Sequence, residues 1–275
     1  MRRPSLLLLF LLLIGNSLFA QVFRFGVPNL IAYDKQLFHF GFSLGIDIVD
    51  ANLKTRTNYE YPDNISIPDF EVKQIYSKAV PAFNVGIVAN LRLGKYFDLR
   101  FIPGFSIAHD IDLYYKFAQE VPDPNPRRAG RFTDEVLRKI ECHYINFPLF
   151  LKFKSSRMHN VRFYALTGGQ ISINMMSAKN NKIAASYQLS SIKTEIVPII
   201  KPYDVQVKGG FGFDFYTNYF KFTTEFKVSF GVINMLESEN RIKDKDNIQN
   251  YLTSPMVTGL QSLKSRTFTI SVIFE

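Results

Sequence analysis

Two runs of strict alternation, joined by Thr217-Asn218-Tyr219, constrain this chain more than any other feature. In the first, Val205, Val207, Phe211, Phe213 and Phe215 alternate with Gln206, Lys208, Gly210, Gly212, Asp214 and Tyr216. In the second, Phe222, Phe226, Val228 and Phe230 alternate with Lys221, Thr223, Glu225, Lys227 and Ser229. Successive side chains of a strand face opposite sides of the sheet, so a period of two predicts two strands. Each run exceeds the usual length of about five or six residues and reaches the roughly nine to eleven that a tilted strand needs to cross a bilayer. One face is Phe and Val; the other is charge and glycine. The pattern predicts a transmembrane β-hairpin.

The N-terminus points to export. Met1-Arg2-Arg3 precedes an apolar run from Leu6 to Ile14, then Gly15 to Ala20 and Gln21. A basic start, a short apolar core and a small residue before the cut describe a signal peptide over residues 1–20. Leu18 is larger than usual three residues before such a cut. The apolar run is too short for a helical span, and no other stretch approaches the ~20 apolar residues a span requires. A closed barrel, or a secreted soluble fold, is what remains. Cys142 is the one cysteine, which rules out an intrachain disulfide. The formal charge of +9 becomes +7 once Arg2 and Arg3 leave with the signal peptide. In an exported chain this favours outer-membrane lipid and lipopolysaccharide phosphate as the anionic partner and argues against nucleic acid.

After a lead-in over 21–36, the same alternation recurs over 37–49, 80–93, 97–109, 143–154, 161–174 and 264–275. With the opening hairpin this makes eight strands in residues 37–275. Pro103 lacks an N–H and predicts a bulge in the third strand. The connections alternate. Residues 50–79, 110–142, 175–202 and 235–263 form long loops, with a short helix expected over Thr133–Ile140, while turns at Gly94-Lys95-Tyr96, Ser155–Asn160 and Thr217–Tyr219 are short. Long external loops and short periplasmic turns are the mark of an outer-membrane barrel. The predicted fold is therefore all-β, an eight-stranded antiparallel up-and-down transmembrane barrel with both termini in the periplasm. Phe38, Tyr96, Phe97, Phe153, Tyr216, Tyr219 and Phe220 would girdle the short-turn end. A lipocalin-like soluble barrel shares the alternation with its faces reversed.

On the membrane reading, Phe40, Phe42, Phe211, Phe213, Phe222, Phe226, Phe230, Phe268 and Phe274 face lipid. His39, Asp47, Arg92, Asp98, Arg100, Lys152, Arg162, Lys208, Asp214, Lys221, Glu225 and Lys227 face the lumen. A lumen this narrow is filled by side chains, so buried charges of both signs are expected to pair as a plug.

Several segments resemble the PorT proteins of the type IX secretion and gliding-motility apparatus. They are Asp34-Lys35-Gln36, His39-Phe40-Gly41-Phe42 and Leu44-Gly45; Arg100 to Ser106; Phe147 to Ser155; Gly212 to Tyr216; Tyr219 to Phe222; Glu225-Phe226-Lys227; and Lys264-Ser265-Arg266. The resemblance runs in order over most of the chain after Tyr33. Asn146 departs from it, standing where an acidic residue is expected, which weakens the case for one lumen charge pair. The resemblance implies a non-enzymatic outer-membrane barrel working with other secretion-machine proteins, within a wider group of small porin-like barrels. A stand-alone barrel, adhesive through its loops or hydrolytic on lipid, is the alternative.

Catalytic chemistry finds little support. His39 and Ser43 share a strand face but stand about 13 Å apart at ~3.3 Å per residue. His109, His143 and His159 lack metal-ligand spacing, and Gly209-Gly210-x-Gly212 lies within a strand, where glycine makes room for large lumen side chains. No catalytic, cofactor or metal residue is expected.

Overall fold

The computed structural model of the chain describes residues 28–55, 72–122, 132–177, 198–237 and 259–275. The expected signal peptide, residues 21–27 of the expected lead-in and much of the third and fourth long loops lie outside them. The strands are β1 (Phe38–Thr55), β2 (Val72–Lys78), β3 (Val80–Arg92), β4 (Phe97–Phe101), β5 (Gly104–Ile107), β6 (Ile111–Pro122), β7 (Phe132–Ile140), β8 (Tyr144–Lys154), β9 (Val161–Asn174), β10 (Tyr203–Tyr216), β11 (Lys221–Gly231) and β12 (Leu260–Phe274).

Nine of these form one antiparallel sheet in the order β1-β12-β11-β10-β9-β8-β4-β3, with β5 pairing both β3 and β8. The sheet closes because β1 pairs β12 on one side, with Phe42 opposite Phe274, and β3 on the other, with Phe42 opposite Ile87. Segments β4 and β5 are two halves of one stave, so the ring has eight. Closure leaves no backbone edge facing lipid.

The break between β4 and β5 falls at Ile102-Pro103, but it is not the expected bulge. Ala89 faces Phe101 and Gly86 faces Gly104 in one register, and Phe101–Leu149 and Gly104–Asn146 keep one register on the other side. No residue is inserted. The proline removes a donor, while its carbonyl still accepts from Ile87 N–H at 2.9 Å.

The alternation sorts as the membrane reading requires. On β11, Lys221, Thr223, Glu225, Lys227 and Ser229 are buried, and Val228 and Phe230 are exposed on the wall. A soluble barrel would reverse this. On β1 the outward residues Phe38, Phe40, Phe42, Leu44, Ile46 and Ile48 are all exposed. From Phe38 to Ile48 the strand rises about 34 Å at ~3.4 Å per residue. At the ~40° tilt of such barrels this is about 26 Å of membrane, close to the ~25 Å apolar band.

The long connections differ from expectation. Instead of plain loops, residues 50–79 and 110–142 contribute β2, β6 and β7, a separate three-stranded antiparallel sheet. Thr133–Ile140 is strand rather than helix. In addition, β1 runs on to Thr55 and β12 starts at Leu260, so the wall rises beyond the apolar band. The inner face of the small sheet carries Ile75, Leu113, Tyr115, Phe117, Val136 and Ile140. These pack with inward-facing Ala51 of β1 and Leu263 of β12 in one buried apolar cluster. Burying those side chains, at about 1.5–3 kcal/mol for each large apolar one, is what folds the sheet over the outer end. Cys142 is buried in the same cluster, and burial pushes its thiol up to about 12.

Candidate functional site

Among the described residues, chemistry-bearing side chains converge most densely in the lumen. Its lower half is an ion network. Arg100 is fully buried; its guanidinium meets Glu225 at 2.5 Å, Glu275 at 3.2 Å and the Asn90 side-chain oxygen at 3.1 Å. Glu225 also accepts from the Tyr164 hydroxyl at 2.6 Å and pairs with Lys227 at 2.7 Å. Lys152 pairs with Asp214 at 2.9 Å and lies 3.5 Å from the Tyr164 ring centroid. Thr223 donates to Asp214, Lys221 pairs with Glu275 at 2.6 Å, and Lys154 with Asp98 at 2.6 Å. Charges stripped of water are tolerable only when paired and hydrogen-bonded in this manner. Glycine supplies the room: a Cβ on Gly212 would stand 2.5 Å from the Tyr164 hydroxyl.

Above the network the lumen turns neutral and polar. Asn146 donates to Ser106 at 2.7 Å and accepts from Gln170 and Ser172, which makes it the centre of an amide–hydroxyl cluster. Asp47 accepts from Thr269 at 2.5 Å and lies 3.9 Å from His109. A cavity of about 50 Å³ remains, lined by Ser43, Asp47, Asn146, Gln170, Lys208 and Lys227 among others. At about 10–15 Å³ of such space per water, it has room for a few waters and not for a solute stream. The apolar cluster beneath the small sheet closes the lumen above it.

The lead-in closes the other end. A single 3-10 turn, Tyr33–Lys35, enters the mouth between the short turns. Tyr33 stacks on His39 with ring centroids 4.0 Å apart, and the Lys221 ammonium lies 4.9 Å from the Tyr33 ring. Asp34 accepts two bonds from Arg162, at 2.8 and 2.9 Å, and one from the Tyr216 hydroxyl at 3.1 Å. Burial alone would raise the Asp34 carboxyl, but Arg162, Tyr216 and Arg157 outweigh it and hold the group below the usual carboxylate range. Asn29 ties the segment down: its N–H donates to the Asn160 side chain at 2.9 Å, its amide to the Tyr216 carbonyl at 3.1 Å, and its carbonyl accepts from Arg157.

Of the expected lumen residues, Asp98, Arg100, Lys152, Asp214, Lys221, Glu225 and Lys227 join one network. His39 and Arg162 meet the lead-in, and Asp47 belongs to the upper polar zone. Lys208 lines the cavity, with no ion pair among the described residues. Arg92 does not join the network; it stands half-buried at the rim, its Nε donating to the Gly94 carbonyl at 3.3 Å. Tyr216 is not a girdle residue either, since it is buried in the mouth. The nine expected lipid-facing phenylalanines all lie on the wall, several half-covered by one another, as with Phe211 against Phe226 at 5.4 Å and Phe222 against Phe274 at 5.4 Å. Sequence reasoning missed Tyr33, Asp34, Lys154, Tyr164 and Glu275. The last three share the parity of their inward neighbours, a signal that was available.

A closed ring of eight staves with charge inside and phenylalanine outside is an outer-membrane architecture, and the sequence agrees. It matches the family described as outer membrane protein beta-barrel domain over residues 19–237. The chain belongs to this family. It is an outer-membrane β-barrel protein. Among solved structures, Neisserial surface protein A (NspA) is similar over 86% of this chain and 98% of its own, at 8% identity and a TM-score of 0.37. OprB of Pseudomonas putida is similar over 86% of this chain and 94% of its own, at 6% identity and a TM-score of 0.19. No curated protein matches the sequence. Among the described residues, no group of three or more His, Cys, Asp or Glu could hold a metal ion.

Proposed function

We propose that this barrel is a non-catalytic outer-membrane component of a type IX protein-secretion and gliding-motility apparatus, of the PorT kind, and that it works through its ends. The observation that carries the reading is the filled lumen: paired charges below, apolar cap above, lead-in across the mouth. A wall in lipid and a plugged interior leave the two ends for partners. The PorT resemblance supplies the apparatus. Its segments at Arg100, Gly212 to Tyr216 and Glu225-Phe226-Lys227 supply much of the network itself.

The periplasmic end is the preferred docking face, because secretion-machine partners there meet the short turns and the lead-in. Met158 and Tyr219, at the tips of two turns, are 69% and 89% exposed and offer apolar anchors. The experiment compares two deletions in cells that keep the signal peptide and its cleavage site: Val22–Ala32, and the β6–β7 connection over 123–131. Insertion is checked by heat-modifiable gel mobility. Loss of cargo secretion in the first and normal secretion in the second is expected. The reverse pattern moves docking to the outer face. If deleting the whole protein leaves export of several unrelated cargoes intact, the secretion reading fails and a stand-alone adhesive or lipid-hydrolytic barrel takes its place.

A further inference from the structure

The wall carries its own signal where it leaves the apolar band. On β12 and β1, Val49, Ala51, Leu263, Ser265 and Thr267 are buried toward the interior. Parity therefore turns Asp50, Asn52, Lys54, Lys264 and Arg266 outward. The register sets them side by side: Ile48 faces Phe268, Asp50 faces Arg266, Asn52 faces Lys264 and Lys54 faces Ser262. Lys54 is thus the diagonal neighbour of Lys264, about 7–8 Å away, and Lys264 and Arg266 are successive outward residues of one strand.

The heights fit a headgroup layer. Ile48 and Phe268 are the last apolar outward pair on these strands. At ~3.4 Å per residue and ~40° tilt, Arg266 stands about 5 Å and Lys264 about 10 Å above Phe268. The polar layer on each side of a ~30 Å hydrocarbon core is about 5–8 Å thick. Lys264 stands just above that layer and Lys54 higher still, and their long stems let the ammonium groups reach down along the wall. On the β11 side at this height, Phe230 lies opposite Arg266 and Val232 beyond it is exposed. Asp50, held by Arg266, is the one outward carboxylate among the described residues of β1 and β12 at this level.

We propose that Lys54, Lys264 and Arg266 form a phosphate-binding patch for the headgroup of an anionic lipid of the outer leaflet, of the lipid A type. Arg266, oriented by Asp50, keeps guanidinium donors available for an oxygen of the headgroup. The two lysines add compact charge above it, and the apolar wall below takes the acyl chains. A soluble phosphate would meet the same cations without the apolar contact, so a lipid should bind far better than free phosphate. The proposal rests on the membrane placement of the barrel and not on the secretion reading, which is tested by cargo export.

The test uses the full-length mature protein in a neutral detergent, titrated with diphosphoryl lipid A, its dephosphorylated form and inorganic phosphate. The variants are Lys54→Gln with Lys264→Gln, and Lys95→Gln at a periplasmic turn as a charge control. Each basic residue near an anionic surface contributes about fivefold, the equivalent of ~1 kcal/mol. The double variant is therefore expected to bind diphosphoryl lipid A about 25-fold more weakly, with heat-modifiable mobility unchanged and Lys95→Gln unaffected. The dephosphorylated lipid is expected to lose a comparable factor on the native protein. Equal affinity for the two lipids, or unchanged affinity in the double variant, would overturn the proposal. So would displacement of the lipid by an equal concentration of inorganic phosphate, which would make the patch a site for soluble anions.

Discussion

At the scale of residues, the lumen is a set of charges that hold one another in place. Glu225 is the hub, contacted by Arg100, Tyr164 and Lys227. Replacing it with Leu takes the carboxylate from Lys227 and leaves Arg100 with Glu275 alone, at a cost of about 3–5 kcal/mol. Denaturant titration of folded barrel by gel mobility should show that loss, whereas Lys208→Met, which breaks no ion pair among the described residues, should shift the midpoint far less. Asp34 supplies a pH dependence. Its carboxyl titrates below the ordinary value when docked, so the docked charge favours the plugged mouth at all pH above about 4 and is lost as pH falls through the lowered value. Limited proteolysis of the lead-in should be slow at neutral pH and faster in acid. Asp34→Asn should be cut faster at neutral pH and show little pH dependence. Much of the network could be read as inward-facing from parity alone, but not which charge meets which. Arg100 and Glu225 are distant in sequence, and their meeting depends on ring closure and stagger.

At the scale of elements, the strands were the legible part, because a bilayer imposes length, alternation and hydrophobicity together. The β10–β11 hairpin shows all three. Phe226→Lys, near the middle of the apolar band, places a cation in lipid at a cost of about 2–4 kcal/mol. Insertion into liposomes should fall accordingly, while a lysine replacing exposed Tyr219 at the turn should insert normally. The small outer sheet was not legible, although Ile111, Leu113, Tyr115 and Phe117 alternate with Asp112, Tyr114 and Lys116. That run lies next to Pro122 to Pro126 among charged residues, and its partner β7 carries Asp134, Glu135, Arg138 and Lys139. The sheet exists because the extended wall offers Ala51 and Leu263 as a floor, a tertiary cause that no local pattern carries. The lead-in was illegible for the same reason: Tyr33 and Asp34 have no period, and their order comes from the mouth that receives them.

At the scale of the whole molecule, the described parts of barrel, cap and lead-in fill the lumen, which is why the proposed working surfaces are the two ends. Orientation follows from the short turns facing the periplasm. A cysteine introduced at Lys95 should resist a membrane-impermeant label in intact cells, and one introduced within 123–131 should react. A lumen plugged by paired charges and capped by an apolar cluster should pass no ions. Planar-bilayer recording of the purified full-length barrel tests this most directly. The expected result is an inserted protein, verified by heat-modifiable mobility, with no steady conductance at neutral pH. A stable, reproducible open channel in the unmodified protein would contradict it.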